Sequence, residues 1–354
     1  MNDPQPPPAE PLTEEPGPAP ASSPGDGGRL VPCRFALRAL VFALVATGAV
    51  FALDPVVMNS RLLRRGVLLE NAYDLERFDC SEGALLYLGD SVVGWGGDKA
   101  GAEHVLPAVA AEASGLPVVD ASHPAYGPKC FRAQVVRLKR GPSRPRAVLL
   151  GISLASFGPR RAENPSWHFG LRRSLLETGR YLPRRALAVF EQGFGARSQA
   201  SYAALPVRVG EVSVARVGDL VGPVPADSED RFRKRLLCDY ATDAQQSSEW
   251  SETERLFKAL ASLEIPSVIY LTPYDHEEAT RLLRPADCAR IRANARALVA
   301  LAASLGVTLH DHSRALPHSA FDAPPGVTAE HLFPDGRREL IRRLATSLRE
   351  LKGR

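Results

Sequence analysis

"LLYLGDSVVGWGG", residues 85–97, runs four apolar residues straight into Gly-Asp-Ser. A short unbroken apolar run fits a strand buried on both faces of a parallel sheet. Such sheets present their functional groups at the C-terminal ends of the strands, where this acid and hydroxyl stand. The glycines around them leave little side-chain bulk, so a ligand can approach the backbone closely.

The rest of the chain keeps the same rhythm. Strands are expected at 83–89, 117–122, 146–153 and 267–274, with a short one in "VTLHD". Helices are expected at 102–115, 129–141, 251–265, around 285–305, and from Asp335 to the C-terminus, with a capping box at Ser251 and Glu254 opening the third. Strands alternating with helices of this length predict a parallel sheet covered on both faces, a three-layer α/β/α architecture. "GDS", "DASHPAYG", "GIS" and "TPYDH" all fall at strand ends of that sheet.

Upstream lie segments of other character. Nine prolines precede residue 25, and residues 1–33 read as a disordered tail that cannot bury enough apolar surface to fold. Residues 34–54 then carry an apolar run. Phe35–Leu53 is 19 residues, roughly 28 Å as a helix, which matches a hydrocarbon core. An uncleaved single-pass anchor is the leading reading, and a signal peptide cut after Val50-Phe51-Ala52 is the alternative. Arginines flank the run on both sides, so the charge asymmetry that orients membrane helices is weak. Residues 55–82 carry leucines at helical spacing and read as a stalk, leaving a domain at 83–354.

An insertion at about 155–246 breaks the alternation. It holds seven arginines against two glutamates over residues 159–185 and reads as helical, either a solvated face or a cap beside the cleft. Cys80, Cys130, Cys238 and Cys288 are an even set, consistent with two disulfides in an exported domain or with four buried thiols. Net charge is +4, too mild to imply nucleic acid, and no nucleic-acid motif is present. Gly89 and Gly94 have phosphate-loop spacing, but Trp95 stands where the lysine belongs. No zinc spacing involves the cysteines.

Serine needs a base to become a nucleophile. His331 in "EHLFPDG", just ahead of the last helix, is the candidate. "YLGDSVV" and "EHLFPDG" together resemble the blocks of the SGNH/GDSL hydrolase superfamily, over residues 83–350 apart from the insertion. The resemblance implies a flavodoxin-like fold, acyl-ester cleavage or transfer without a cofactor, Ser91 as nucleophile and His331 as base. It also implies an oxyanion hole, here from the backbone N–H of Ser91 or Val92, a group in "DASHPAYGP" such as Gly127, and Ser153, which occupies the place of the family's asparagine. The family's acid three residues before the histidine is Thr328 in this chain, so Asp322 or Glu330 is the candidate partner of the imidazole. "LTPYDHEE" is similar to membrane-anchored branches that act on cell-envelope polymers. The implied partners are an acylated small molecule or glycan, the membrane through the anchor, and a membrane acyltransferase, with the domain periplasmic or extracellular. The alternative is a non-catalytic scaffold of the same fold serving such a system.

Overall fold

The computed structural model describes residues 31–60, 62–63, 70–94, 105–141, 144–163, 170–183, 186, 203–204, 206–209, 213–216, 229–321 and 329–351. The chain divides into two units, Met1–Ala49 and Val50–Arg354. The described part of the first is the beginning of helix α1 (Val31–Asn59), whose last turns belong to the second. Phe35–Asn59 has a mean hydropathy of 2.2 and is long and apolar enough to cross a membrane by length and composition. Phe35, Leu37, Phe42 and Val45 are all exposed.

The second unit is built on a five-stranded parallel sheet. Its strands are β1 (Leu85–Leu88), β2 (Val118–Asp120), β3 (Ala147–Ile152), β6 (Ser267–Leu271) and β7 (Leu309–Asp311), in the order β2-β1-β3-β6-β7. Two further strands, β4 (Pro206–Val209) and β5 (Ser213–Arg216), form a separate antiparallel pair. Counting only the five, the order is 2-1-3-4-5, the flavodoxin-like arrangement, in which the order of strand addition reverses between the first and third strands.

Alternation along each central strand divides the core. Leu86, Leu88, Val148, Leu150, Ile152, Ile269 and Leu271 face one layer. Leu85, Tyr87, Ala147, Leu149, Val268 and Tyr270 face the other. The first layer holds α2 (Glu70–Asp79), α4 (Pro128–Arg140), α6 (Glu229–Tyr240), α7 (Ser248–Ala261) and α9 (Pro285–Ser304). The second holds α3 (Val105–Ser114) and α10 (Pro334–Glu350), where Leu340, Ile341, Leu344 and Leu348 have no exposed surface. Burying each such side chain contributes about 1.5–3 kcal/mol.

Several expectations change. The stalk at 55–82 does not stand apart: α1 continues through Pro55 to Asn59, and Leu75 and Phe78 of α2 lie inside the main core. Asp54, expected at the end of a lipid span, is buried, and its Oδ1 accepts the N–H groups of Tyr181 and Leu182 at 3.0 and 2.9 Å. α7 begins at Ser248, capped by Ser247, one turn before the expected box, because Glu249 is drawn into a buried ion pair with Lys129 at 3.0 Å. The insertion is not purely helical. It carries α5 (Gly170–Thr178), the β4–β5 hairpin, and α6, which is part of the core. Cys80, Cys130, Cys238 and Cys288 form no disulfide, the first exposed and the others buried on separate helices, so of the two alternatives the buried thiols hold for three and Cys80 lies at the surface.

Candidate active site

Ser91 opens a single helical turn, Ser91–Gly94, directly after β1. His331 sits in the loop before α10, where Leu332 bridges to Phe321. The fold brings them together across 240 positions, with His331 Nε2 3.3 Å from Ser91 Oγ. His331 is 7 % exposed and Ser91 is half-buried, so the imidazole is the more sheltered of the two residues. A hydroxyl within hydrogen-bond reach of an imidazole is the arrangement that proton removal requires.

Beneath this pair lies a buried polar network that local sequence does not announce. Asp90, 1 % exposed, accepts the Val92 N–H on Oδ1 at 2.9 Å. Its Oδ2 stands 3.5 Å from Arg161 Nη1. Arg161 Nη2 donates to Glu330 Oε1. Glu330 Oε2 accepts hydrogen bonds from Ser153 Oγ and, at 2.9 Å, from Tyr240 Oη. Two glycines make room below. A Cβ on Gly89 would run into the Tyr87 hydroxyl, and one on Gly151 would lie 2.8 Å from that of Tyr270. Those hydroxyls lie 3.5 Å apart.

Two carboxylates share one guanidinium here, and their proton affinities separate. Burial, and then the charge of Glu330, push the Asp90 carboxyl up to about 7. Burial pushes Glu330 up as well, but Arg161 and the Ser153 hydroxyl outweigh it and hold Glu330 below the usual carboxylate range. From about pH 4 to about 7 the folded chain keeps a proton on Asp90 that the unfolded chain has released, so this group withdraws stability as pH rises through that window. Glu330 acts in the opposite sense: its contribution is present above its unfolded value and is lost on acidification.

Three expected roles are corrected by this network. The Ser153 hydroxyl has one proton and donates it to Glu330, so it is not held ready for an oxyanion. The Val92 N–H is committed to Asp90. Glu330, with no exposed surface, engages Arg161, Ser153 and Tyr240 rather than forming a hydrogen bond to the imidazole, although its charge is felt there. Gly127 caps α4 in extended conformation, and a Cβ there would lie 3.5 Å from the Ser156 side chain. Its loop is fastened to β1 by the His123 N–H, which donates to the Gly89 carbonyl at 3.0 Å, and it carries Ala125 at φ 64°. A left-handed alanine is an uncommon backbone state, and such residues concentrate at functional loops. Asp322 and Thr328 lie outside the described residues.

The arginine run divides: Arg180 is exposed, as a solvated face expects, but two of its members are not. Arg160 and Arg161 are buried, not solvated. Arg160 makes a two-pronged pair with Asp239, Nε to Oδ1 at 2.9 Å and Nη2 to Oδ2 at 2.5 Å. At the far end of the sheet, Asp311 Oδ1 accepts the Ser313 N–H at 2.9 Å, closing the loop after β7. Asp275 caps α8 (His276–Leu282) and pairs with His318 Nδ1 at 2.6 Å, a contact the sequence did not suggest.

No family model matches the chain, and no curated protein matches it. Among solved structures it is similar to a carbohydrate acetylesterase family member from Sinorhizobium meliloti, at 12% identity and a TM-score of 0.35 over 77% of this chain and 100% of that one. It is also similar to an extracellular lipase from Streptomyces rimosus, at 13% identity and a TM-score of 0.39 over 75% of this chain and 99% of that one.

Proposed function

We propose that the domain cleaves or transfers an acyl ester, with Ser91 as nucleophile and His331 as base. The 3.3 Å contact between His331 Nε2 and Ser91 Oγ carries the reading. His331 takes the serine proton as Oγ attacks the acyl carbonyl carbon, and the carbonyl oxygen becomes an oxyanion. The backbone N–H groups of Ser91 and Gly127 are the proposed donors to that oxyanion, since Val92 and Ser153 are engaged elsewhere. The intermediate collapses with loss of the alcohol, which takes its proton from the imidazolium. Water or an acceptor hydroxyl then attacks the acyl-enzyme by the same route in reverse. With α1 as a membrane anchor and the domain outside the cytoplasm, the acceptor is an envelope glycan and the acyl supplier a membrane acyltransferase.

A second reading, a scaffold without catalysis, is favoured by one observation: two nominated oxyanion donors are consumed within the protein. A serine-reactive fluorophosphonate separates the two. The enzyme reading expects stoichiometric labelling of the wild type and none of Ser91→Ala; an unlabelled, folded wild type leaves the scaffold. For the compartment, alkaline phosphatase fused after residue 354 is expected to be active in bacterial cells. An inactive fusion beside an active cytoplasmic reporter would place the domain inside.

A further inference from the structure

One side chain joins the two segments that carry the proposed nucleophile and base. Arg161 projects from the turn Pro159–Ala162, which follows β3. One arm of its guanidinium lies 3.5 Å from the carboxyl of Asp90, the residue before Ser91, a charge contact without a hydrogen bond between them, and the other donates to Glu330, the residue before His331. We propose that Arg161 is a positioning residue, a fork that sets the Ser91–His331 contact by holding the two preceding carboxylates at once. The inference rests on the reading of Ser91 and His331 as nucleophile and base.

Each carboxylate is itself fastened to what it positions. Asp90 accepts the Val92 N–H and so shapes the turn on which Ser91 rides. Glu330 is braced from its other side by Ser153 at the end of β3 and Tyr240 at the end of α6. Rotation of either segment would pull against the same guanidinium. A planar guanidinium suits this task better than an ammonium, because it hydrogen-bonds Glu330 through one nitrogen while aiming the other at Asp90 in a fixed direction. Stability alone is a weak account of the triad. Buried ions lose so much hydration that well-packed apolar substitutes often serve as well, whereas fixing register is the best-attested use of such groups. The network has a second effect. Glu330 and the His331 imidazole favour each other's charged forms, so an imidazolium formed during proton transfer meets a fixed negative neighbour without a direct hydrogen bond.

The test compares Arg161→Lys, Arg161→Met and Glu330→Gln in the full chain, with an aryl acetate as substrate. Arg161→Lys is expected to lower kcat by about 10- to 100-fold with KM within about threefold, the signature of misplacement rather than lost binding. Arg161→Met is expected to fall further. The acid limb of kcat/KM stays in place in Arg161→Lys, which keeps the charge, and moves to lower pH in Glu330→Gln, which removes the negative neighbour. Amide exchange is expected to quicken in residues 90–92 and 329–332 together in both Arg161 variants, while β3 and β6 keep their protection. A cooperatively folded Arg161→Met with wild-type kcat, or with unchanged exchange at both segments, overturns the proposal. If Arg161→Met does not fold, Arg161→Lys decides by the same readouts. If the wild type neither turns over nor reacts with the fluorophosphonate, the serine reading fails, and the exchange measurement still decides whether Arg161 ties the two segments.

Discussion

His331→Gln is expected to lower kcat/KM on an aryl acetate by about 10⁴-fold or more at pH 7. Glutamine fills a similar volume and can still hydrogen-bond the Ser91 hydroxyl, so the loss reports the missing base rather than a cavity. With no imidazole at 3.3 Å, the serine proton must leave to solvent hydroxide. The residual rate is therefore expected to climb about tenfold per pH unit, where the wild type has already levelled. Groups that act as a unit are not additive, so Ser91→Ala combined with His331→Gln is expected to be no slower than Ser91→Ala alone. A folded His331→Gln within tenfold of the wild-type rate would remove this histidine from the reaction.

The largest expected effect on stability lies behind the site. Asp239→Ala leaves the Arg160 guanidinium buried without the carboxylate that meets it through two nitrogens. Arginine does not shed its proton to escape, so breaking this buried pair is expected to cost about 3–5 kcal/mol. For a domain of this size that lowers Tm by roughly 10 °C. The surroundings have little room to adjust. A Cβ on Gly158 would lie 2.5 Å from the Asp239 Cα and 2.6 Å from the Cys238 carbonyl, so the two backbones already touch. Calorimetry of the variant checks this, and a drop under about 2 °C would mean that water reaches the guanidinium.

The sheet was legible because its signal is local. Apolar runs such as Leu85–Leu88 read as strands without knowledge of their neighbours, and their ends mark the cleft. The Ser91–His331 pairing was legible from two short blocks. The buried charges were not, because their partners are distant: Arg160 meets Asp239 79 residues on, and Arg161 meets Glu330 169 residues on. A window that contains seven arginines and two glutamates looks like a solvated surface from inside the window. Glu330 shows the same gap. Adjacent side chains in an extended loop do point apart, but here the direction away from the imidazole leads inward to Arg161, Ser153 and Tyr240, not out to water. The helix start at Ser248 was missed because "SSEWSE" offers serines one turn apart, and the choice is made by the burial of Glu249 against Lys129.

The second core layer has a consequence for how the protein is born. Its apolar face joins Leu85 and Tyr87 of the first strand to Leu340, Ile341, Leu344 and Leu348 of the last helix. Contacts between such distant parts of a chain form late, since the closure entropy of the long loop must be met before they give any return. A nascent chain stopped before Pro334 already holds the five strands of the parallel sheet, with Ser91 after β1 and the Ala329–Leu332 segment tied to Asp275 and Phe321, but the Leu85 and Tyr87 face of the sheet lacks the helix that covers it. Proteins synthesised from the N-terminus assemble their domains in that order. Until that helix docks, one face of the sheet is an open apolar surface, so a chain truncated before Pro334 is expected to be folded in part and prone to stick to other chains.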